Sequence, residues 1–196
     1  MGETRVDLLH LLEDLRDAYP GALEETIITE IVANSLDSGA RHIRFIPETA
    51  RTNLIVVDDG AGMHRKDLIR YHDLATSAKQ RGQGIGFAGV GIKLSLLICE
   101  EVITETRRQA QHIATRWFLA GRHKAPWKWM PPLGLVGDRS TAVKLKLQNG
   151  LSPLLDAGFI EATLRRCYRP LLDPGFDEIL RGQYPEGIAM TVNGRC

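Results

Sequence analysis

The segment Glu24 to Ala40, EETIITEIVANSLDSGA, limits what this chain can fold into more than any other stretch. Ile27, Ile28, Ile31, Val32 and Leu36 recur at helical spacing and share one face. Glu30, Asn34 and Asp37 stand at i, i+4 and i+7 and share a second face. Such a helix packs on one side and presents a carboxylate, an amide and a second carboxylate on the other. Gly39 supplies a C-terminal stop. Acidic residues on a helix are most often a solvated surface, and that reading accounts for Glu30 and Asp37 taken alone. It does not account for the glycine motifs downstream.

With 196 residues the chain is long enough for one large domain, or one domain and an appendage. Its 25 Lys+Arg nearly balance 24 Asp+Glu, which argues against a disordered tail or an overall basic nucleic-acid binder. Cys99, Cys167 and Cys196 have neither metal nor disulfide spacing, so a reducing cytoplasm is the expected setting. There is no signal-like N-terminus and no apolar run of membrane-spanning length. The sequence stops just after a strand-like run, which reads as a cut or a domain edge.

Apolar spacing predicts a short helix over 4–18, ended by Pro20-Gly21. Strands follow at His42 to Ile46 and Asn53 to Val57, with a turn at 47–50 and a helix at 65–74. Ala75 to Gly91 has few groups able to anchor a core and reads as a mobile loop. Ile92 to Ile98 reads as a buried helix, and Val102 to Thr106 and His112 to Phe118 as strands. Residues 121–137, with Trp127, Trp129 and Met130, read as an irregular hairpin. Thr141 to Leu147 alternates as a half-buried strand. Helices at 154–168 and 175–181 and a strand at Ile188 to Val192 complete the chain. This order predicts an α+β fold with helices layered on one face of a sheet.

Two motifs carry chemistry. DDGAGM, Asp58 to Met63, places carboxylates at a strand end, where one can accept a hydrogen bond from the exocyclic amine of a base. Gly60 and Gly62 lack Cβ atoms, so a flat ring can approach the backbone. A tight Asp-Gly turn is the plainer reading of the same residues. GQGIGFAGVGIK lets backbone N–H groups converge at Gly84, Gly86, Gly89 and Gly91, ahead of a helix N-terminus. That is an anion site suited to phosphates, with Lys79, Arg81 and Lys93 nearby. A merely flexible loop is its plainer reading. It is neither a Walker loop nor a dinucleotide-binding fingerprint. Mg²⁺ takes oxygen ligands and shares itself between a protein oxygen and substrate phosphates, and Asn34 can supply that oxygen. Glu30, one turn earlier, can polarise a water.

Taken in order, these motifs resemble the GHKL ATPase family, which includes type II topoisomerase ATPase subunits, ATP-dependent heat-shock chaperones, MutL and MORC proteins, and histidine kinases. The resemblance runs from Glu24 to Glu105 and resumes over Ser140 to Leu147. It implies the Bergerat fold, a two-layer α/β sandwich with a mixed, largely antiparallel sheet. It also implies a Mg²⁺-dependent ATPase acting as a conformational or dimerisation switch. EIVANSLDSGA resembles the first box, with Glu30 as general base, Asn34 as magnesium ligand and Asp37 in the ATP site. In DDGAG, Asp58 rather than Asp59 would read the adenine amine, with Gly60, Gly62 and Met63 lining the base pocket. ATSAK makes Lys79 a phosphate contact. GIGFAGVG resembles the lid box, with Gly84, Gly86, Gly89, Val90 and Gly91 near the phosphates. Ser140-Thr141-Ala142-Val143 resembles the family's Gly-Thr-x-Val, with Thr141 near adenine and Ser140 in place of glycine.

Histidine kinases typically carry Asn where this chain has Glu30 and a basic residue where it has Asp37. Too few residues precede the domain for a phospho-accepting hairpin. The resemblance therefore favours hydrolysis over phosphotransfer. A nucleotide-gated clamp with little hydrolysis is the alternative reading. The expected organisation is an N-terminal helical arm at 1–20, an ATP-binding domain at 21–150 with a lid at about 63–90, and C-terminal helices and a strand at 151–196. Residues 1–20 read equally as an arm for ATP-dependent homodimerisation or as a cap on their own domain. No segment aligns with the transducer lysine of MutL and topoisomerases, so slow turnover is expected. Nucleic-acid or protein clients would be engaged outside this chain, with no membrane involved. Basic residues among the aromatics of 117–130 read as a packed hairpin with a solvated edge, or as a nucleic-acid surface. His42, His64, His72 and His112 lack ligand spacing.

Overall fold

The computed structural model describes residues 6–73 and 91–195. Helix α1 (Leu8–Asp17) is capped by Asp7, whose carboxylate accepts from His10 N–H at 3.1 Å. Helix α2 (Leu23–Asp37) ends as its sequence predicts. Gly39 adopts φ +77°, Ala40 N–H returns to Ser35 O at 3.0 Å and Gly39 N–H to Leu36 O at 2.9 Å. These two bonds satisfy carbonyls that the helix end would otherwise leave open.

Strands β1 (His42–Glu48) and β2 (Asn53–Asp58) form a hairpin, followed by α3 (Arg65–Tyr71). Beyond the undescribed stretch come α4 (Gly91–Leu94), β3 (Cys99–Arg108), β4 (Gln111–Trp117), β5 (Trp127–Met130) and β6 (Ser140–Leu147). Then follow α5 (Ala157–Cys167), α6 (Arg169–Leu172), α7 (Asp177–Leu180) and β7 (Ala189–Val192). The seven strands form one sheet in the order β5-β4-β3-β6-β2-β1-β7. Every pairing is antiparallel except β1 with β7. The result is the expected α+β sandwich.

The main core lies between helices and sheet. Ile27, Ile28, Ile31 and Val32 of α2 pack there with Phe45, Leu54, Val56, Leu145 and Leu147. Burying each such side chain contributes about 1.5–3 kcal/mol. On the opposite face Ile55, Val57 and Ala142 form a smaller cluster against which Ile46, Leu135 and Val136 pack. Helix α1 lies on its own domain: Leu8 and Leu12 are buried, and Leu9 N–H donates to Arg122 O at 2.8 Å.

Local outcomes differ from the sequence pattern at several points. The turn expected at 47–50 begins later, because β1 runs to Glu48 and a 3-10 turn occupies Thr49–Arg51. The helix expected over Ile92 to Ile98 breaks into α4 and a 3-10 turn at Ser95–Leu97. The irregular hairpin contains a true edge strand, β5, paired with β4 from Trp117↔Trp127 to Ala114↔Met130.

Candidate nucleotide site

Residues from α2, β2, α3, α4 and β6 enclose a cavity of about 170 Å³. Its polar wall includes Asn34, Ser35, Ser38, Asp58 and Thr141, and its apolar wall includes Ile31, Val56, Met63, Ile92 and Val143. A larger groove, about 740 Å³, lies between α5, α7 and β7 and contains none of the motif residues.

Asp58 ends β2 and stands opposite Thr141 of β6 in register. Its Oδ2 accepts from Ser35 Oγ at 3.1 Å and its Oδ1 from Gly60 N–H at 2.9 Å. Burial raises its pKa above the ordinary carboxylate value, against the lowering effect of the Gly60, Ser35 and Thr141 donors. Asp59 has a different task. Its carboxylate turns to β1 and accepts from Arg41 N–H (2.7 Å), His42 N–H (2.8 Å) and the His42 ring (2.6 Å). Burial acts to raise its pKa, but these donors prevail and hold it below the ordinary value. The two adjacent aspartates are thus sorted by strand alternation, one into the cavity and one onto the neighbouring strand.

Close approach explains the glycines. A Cβ on Gly60 would overlap the Ser38 side chain, and Ala61 N–H donates to Ser38 O at 2.9 Å, so this turn docks on the end of α2. Gly62 has φ +65°, and a Cβ there would run into the Arg107 carbonyl. Gly62 O accepts from Arg108 Nη1 at 3.3 Å, and Met63 N–H donates to Thr106 Oγ1 at 2.8 Å.

The helix face that was expected to be polar is divided. Asn34 is exposed at the cavity, and Asp37 is exposed at the end of α2 without lining it. Glu30 is buried, 7% exposed, because α4 packs on α2 beside it. A Cβ on Gly91 would overlap the Glu30 side chain, so the first residue of α4 must be small. Lys93, on the same short helix, is 3% exposed. Burial lowers its pKa to about 8, and the charges of Asp73 and Glu30 pull it back upward. Tyr19 feels Glu30 from the α1–α2 connection: burial, then that carboxylate, push its hydroxyl up to about 12.

Lys79, Gly84, Gly86, Gly89 and Val90, and with them most of the expected lid, lie outside the described residues. Sequence reading missed Ser35, Ser38, Tyr71 and Thr106. Ser35 and Ser38 follow Ile31 at i+4 and i+7, a spacing that carries a signal once the cavity side of α2 is known. Among the described residues no cluster of three His, Cys, Asp or Glu side chains suits a metal. A magnesium ion would draw on Asn34 and on oxygens of its ligand, in keeping with the small share of protein oxygens that Mg²⁺ commonly takes.

The family described as histidine kinase-, DNA gyrase B-, and HSP90-like ATPase matches residues 22–129, more than half of the chain. The chain is 27% identical over 131 residues to the chaperone protein HtpG of Rhodopseudomonas palustris (strain BisB5), covering 61% of this chain and 20% of that one. It is 24% identical over 174 residues to HtpG of Paramagnetospirillum magneticum, covering 73% and 27%. It is 31% identical over 104 residues to the DNA mismatch repair protein MutL of Solibacter usitatus, covering 49% and 16%. The chain thus spans only about a fifth of the length of such relatives.

Proposed function

The chain belongs to the histidine kinase-, DNA gyrase B-, and HSP90-like ATPase family, and from that premise we propose a Mg²⁺-dependent ATPase module that works as a nucleotide-driven switch. The observation that carries this reading is the cavity in which Asp58, held by Ser35 and Gly60, faces Thr141 beside Asn34.

Asp58 accepts the exocyclic amine of adenine, while Gly62, Met63 and Thr141 border the ring. Gly60 keeps the turn close to α2. Asn34 would hold Mg²⁺ through its amide oxygen, and the ion would supply charge neutralisation at the phosphates. Glu30 takes the proton of the attacking water as ATP and water become ADP and phosphate. Burial beside α4 restrains the Glu30 side chain for that task. Lys79, Gly84, Gly86, Gly89, Val90 and Gly91 belong to the phosphate side, and Asp37 to the outer end of the helix. Closure of a lid over the nucleotide would exclude water and couple occupancy to an ATP-dependent homodimer. A cytoplasmic setting and a protein or nucleic-acid client engaged outside this chain complete the proposal. No helix among the described residues is long and apolar enough to cross a membrane.

Single-turnover hydrolysis by wild type and Glu30→Ala tests the enzymatic half. A loss of at least a hundredfold with ATP affinity retained supports hydrolysis. Equal turnover in both removes Glu30 from the chemistry and leaves a nucleotide-gated binding module.

A further inference from the structure

Thr106 is fully buried in β3, outside every motif considered above. Its Oγ1 meets three groups. Met63 N–H donates to it at 2.8 Å, the Ser140 carbonyl lies at 3.2 Å, and Thr141 Oγ1 lies at 3.2 Å. Met63 and Thr141 both line the cavity, on segments 78 positions apart in sequence that touch the same hydroxyl.

A threonine hydroxyl has one proton and two lone pairs. The Met63 N–H occupies one lone pair. The Ser140 carbonyl can only accept, so it takes the Thr106 proton. The remaining lone pair then receives the proton of Thr141, and the Thr141 lone pairs are left for the cavity. Asp58, on the facing strand, is also an acceptor.

We propose that Thr106 is a positioning residue of the nucleotide pocket, locking Met63 to Thr141 and fixing the Thr141 hydroxyl as an acceptor toward the base. The assignment rests on the nucleotide reading of the cavity and names its preference. A wall with Asp58 and Thr141 both accepting suits a purine edge that carries an exocyclic amine at position 6, and disfavours one that carries a carbonyl there. Without Thr106, Thr141 is free to turn and donate, and the discrimination weakens.

The test is calorimetric titration of ATP and ITP, with Mg²⁺, into wild type, Thr106→Val, Thr106→Ser, Thr141→Val and the Thr106→Val/Thr141→Val double variant. Loss of one buried hydrogen-bond partner predicts about tenfold weaker ATP binding by Thr106→Val, with ITP less affected. Thr106→Ser, which keeps the hydroxyl, should bind ATP as wild type does. The double variant should lose clearly less than the sum of the two single losses, because part of what Thr106 does passes through Thr141. If Thr106→Val does not fold, Thr106→Cys, with its weak thiol donor, takes its place. Unchanged ATP affinity and ATP/ITP ratio in Thr106→Val, or additive losses in the double variant, overturn the assignment and leave the nucleotide reading standing. A wild type that binds neither nucleotide overturns both.

Discussion

Ser35 Oγ donates to Asp58 Oδ2 across 3.1 Å and so joins the middle of α2 to the end of β2 inside the pocket. Both groups are buried, so water can replace the bond only by entering the cavity. Ser35→Ala removes a donor to a carboxylate without changing the helix face. ATP affinity should fall roughly tenfold by calorimetry, and the folded protein should lose about 1–3 kcal/mol because a buried carboxylate loses a donor.

Asp58 itself should cost the empty protein stability. Burial holds its carboxyl above the ordinary value, so the folded state takes up a proton more readily than the unfolded chain. Stability is therefore lost as pH rises from the ordinary carboxylate value through the raised one, and the ionised group remains a cost at neutral pH. Asp58→Asn should stabilise the nucleotide-free protein at pH 7 against urea. The same variant should gain no stability from ATP. A less stable Asp58→Asn protein would mean that the donors outweigh burial.

His72 provides a separate pH signature. Its Nδ1–H donates to Leu68 O at 2.7 Å, and in the neutral ring its Nε2 accepts from Thr115 Oγ1 at 3.2 Å. The ring stacks on Trp127 with centroids 4.5 Å apart. Burial pushes its pKa down to about 4. A depressed base gives stability that is present above the ordinary histidine value, near 6.5, and lost as pH falls toward 4. Unfolding free energies at pH 7.5 and 4.5 should differ by about 2 kcal/mol more in wild type than in His72→Gln. Parallel pH profiles would remove His72 as the cause.

Glu105 anchors the segment that leads into β6. Its fully buried carboxylate accepts from His112 Nε2 (2.8 Å) and from the N–H groups of Leu133 (2.7 Å), Gly134 and Leu135 (both 3.1 Å). These bonds place Leu135 and Val136 over the outer apolar cluster. In Glu105→Gln an amide NH₂ would face donors, so the variant should lose about 2–4 kcal/mol in chemical denaturation. A loss below 0.5 kcal/mol would contradict this account of the loop.

Gly91→Ala tests the packing of α4 on α2. The added methyl meets Glu30, so the pair must separate, at about 1–3 kcal/mol of stability, with hydrolysis falling at least tenfold. An unchanged melting temperature and turnover would show that α4 moves freely away from α2.

Much of this arrangement is written in local pattern. The apolar period of α2, its Gly39 stop and the alternation of β6 need only near neighbours, and all three appear where the sequence places them. The separate fates of Asp58 and Asp59 follow from strand alternation in the same way. Burial of Glu30 is not local: it depends on Gly91, sixty-one positions later, arriving on the same helix. Thr106 and Glu105 were illegible because a polar residue within a strand carries no sign of which distant segment will meet it. Helix α6 escaped notice because Pro170 interrupts the pattern, although proline is well suited to a first helical turn.

The most direct test is titration of ATP with Mg²⁺ into wild type and Asp58→Asn under identical conditions. Wild type should show saturable, one-site binding, and Asp58→Asn should bind at least a hundredfold more weakly. Equal affinity in both proteins, or no heat of binding in either, would contradict the assignment of this cavity to ATP.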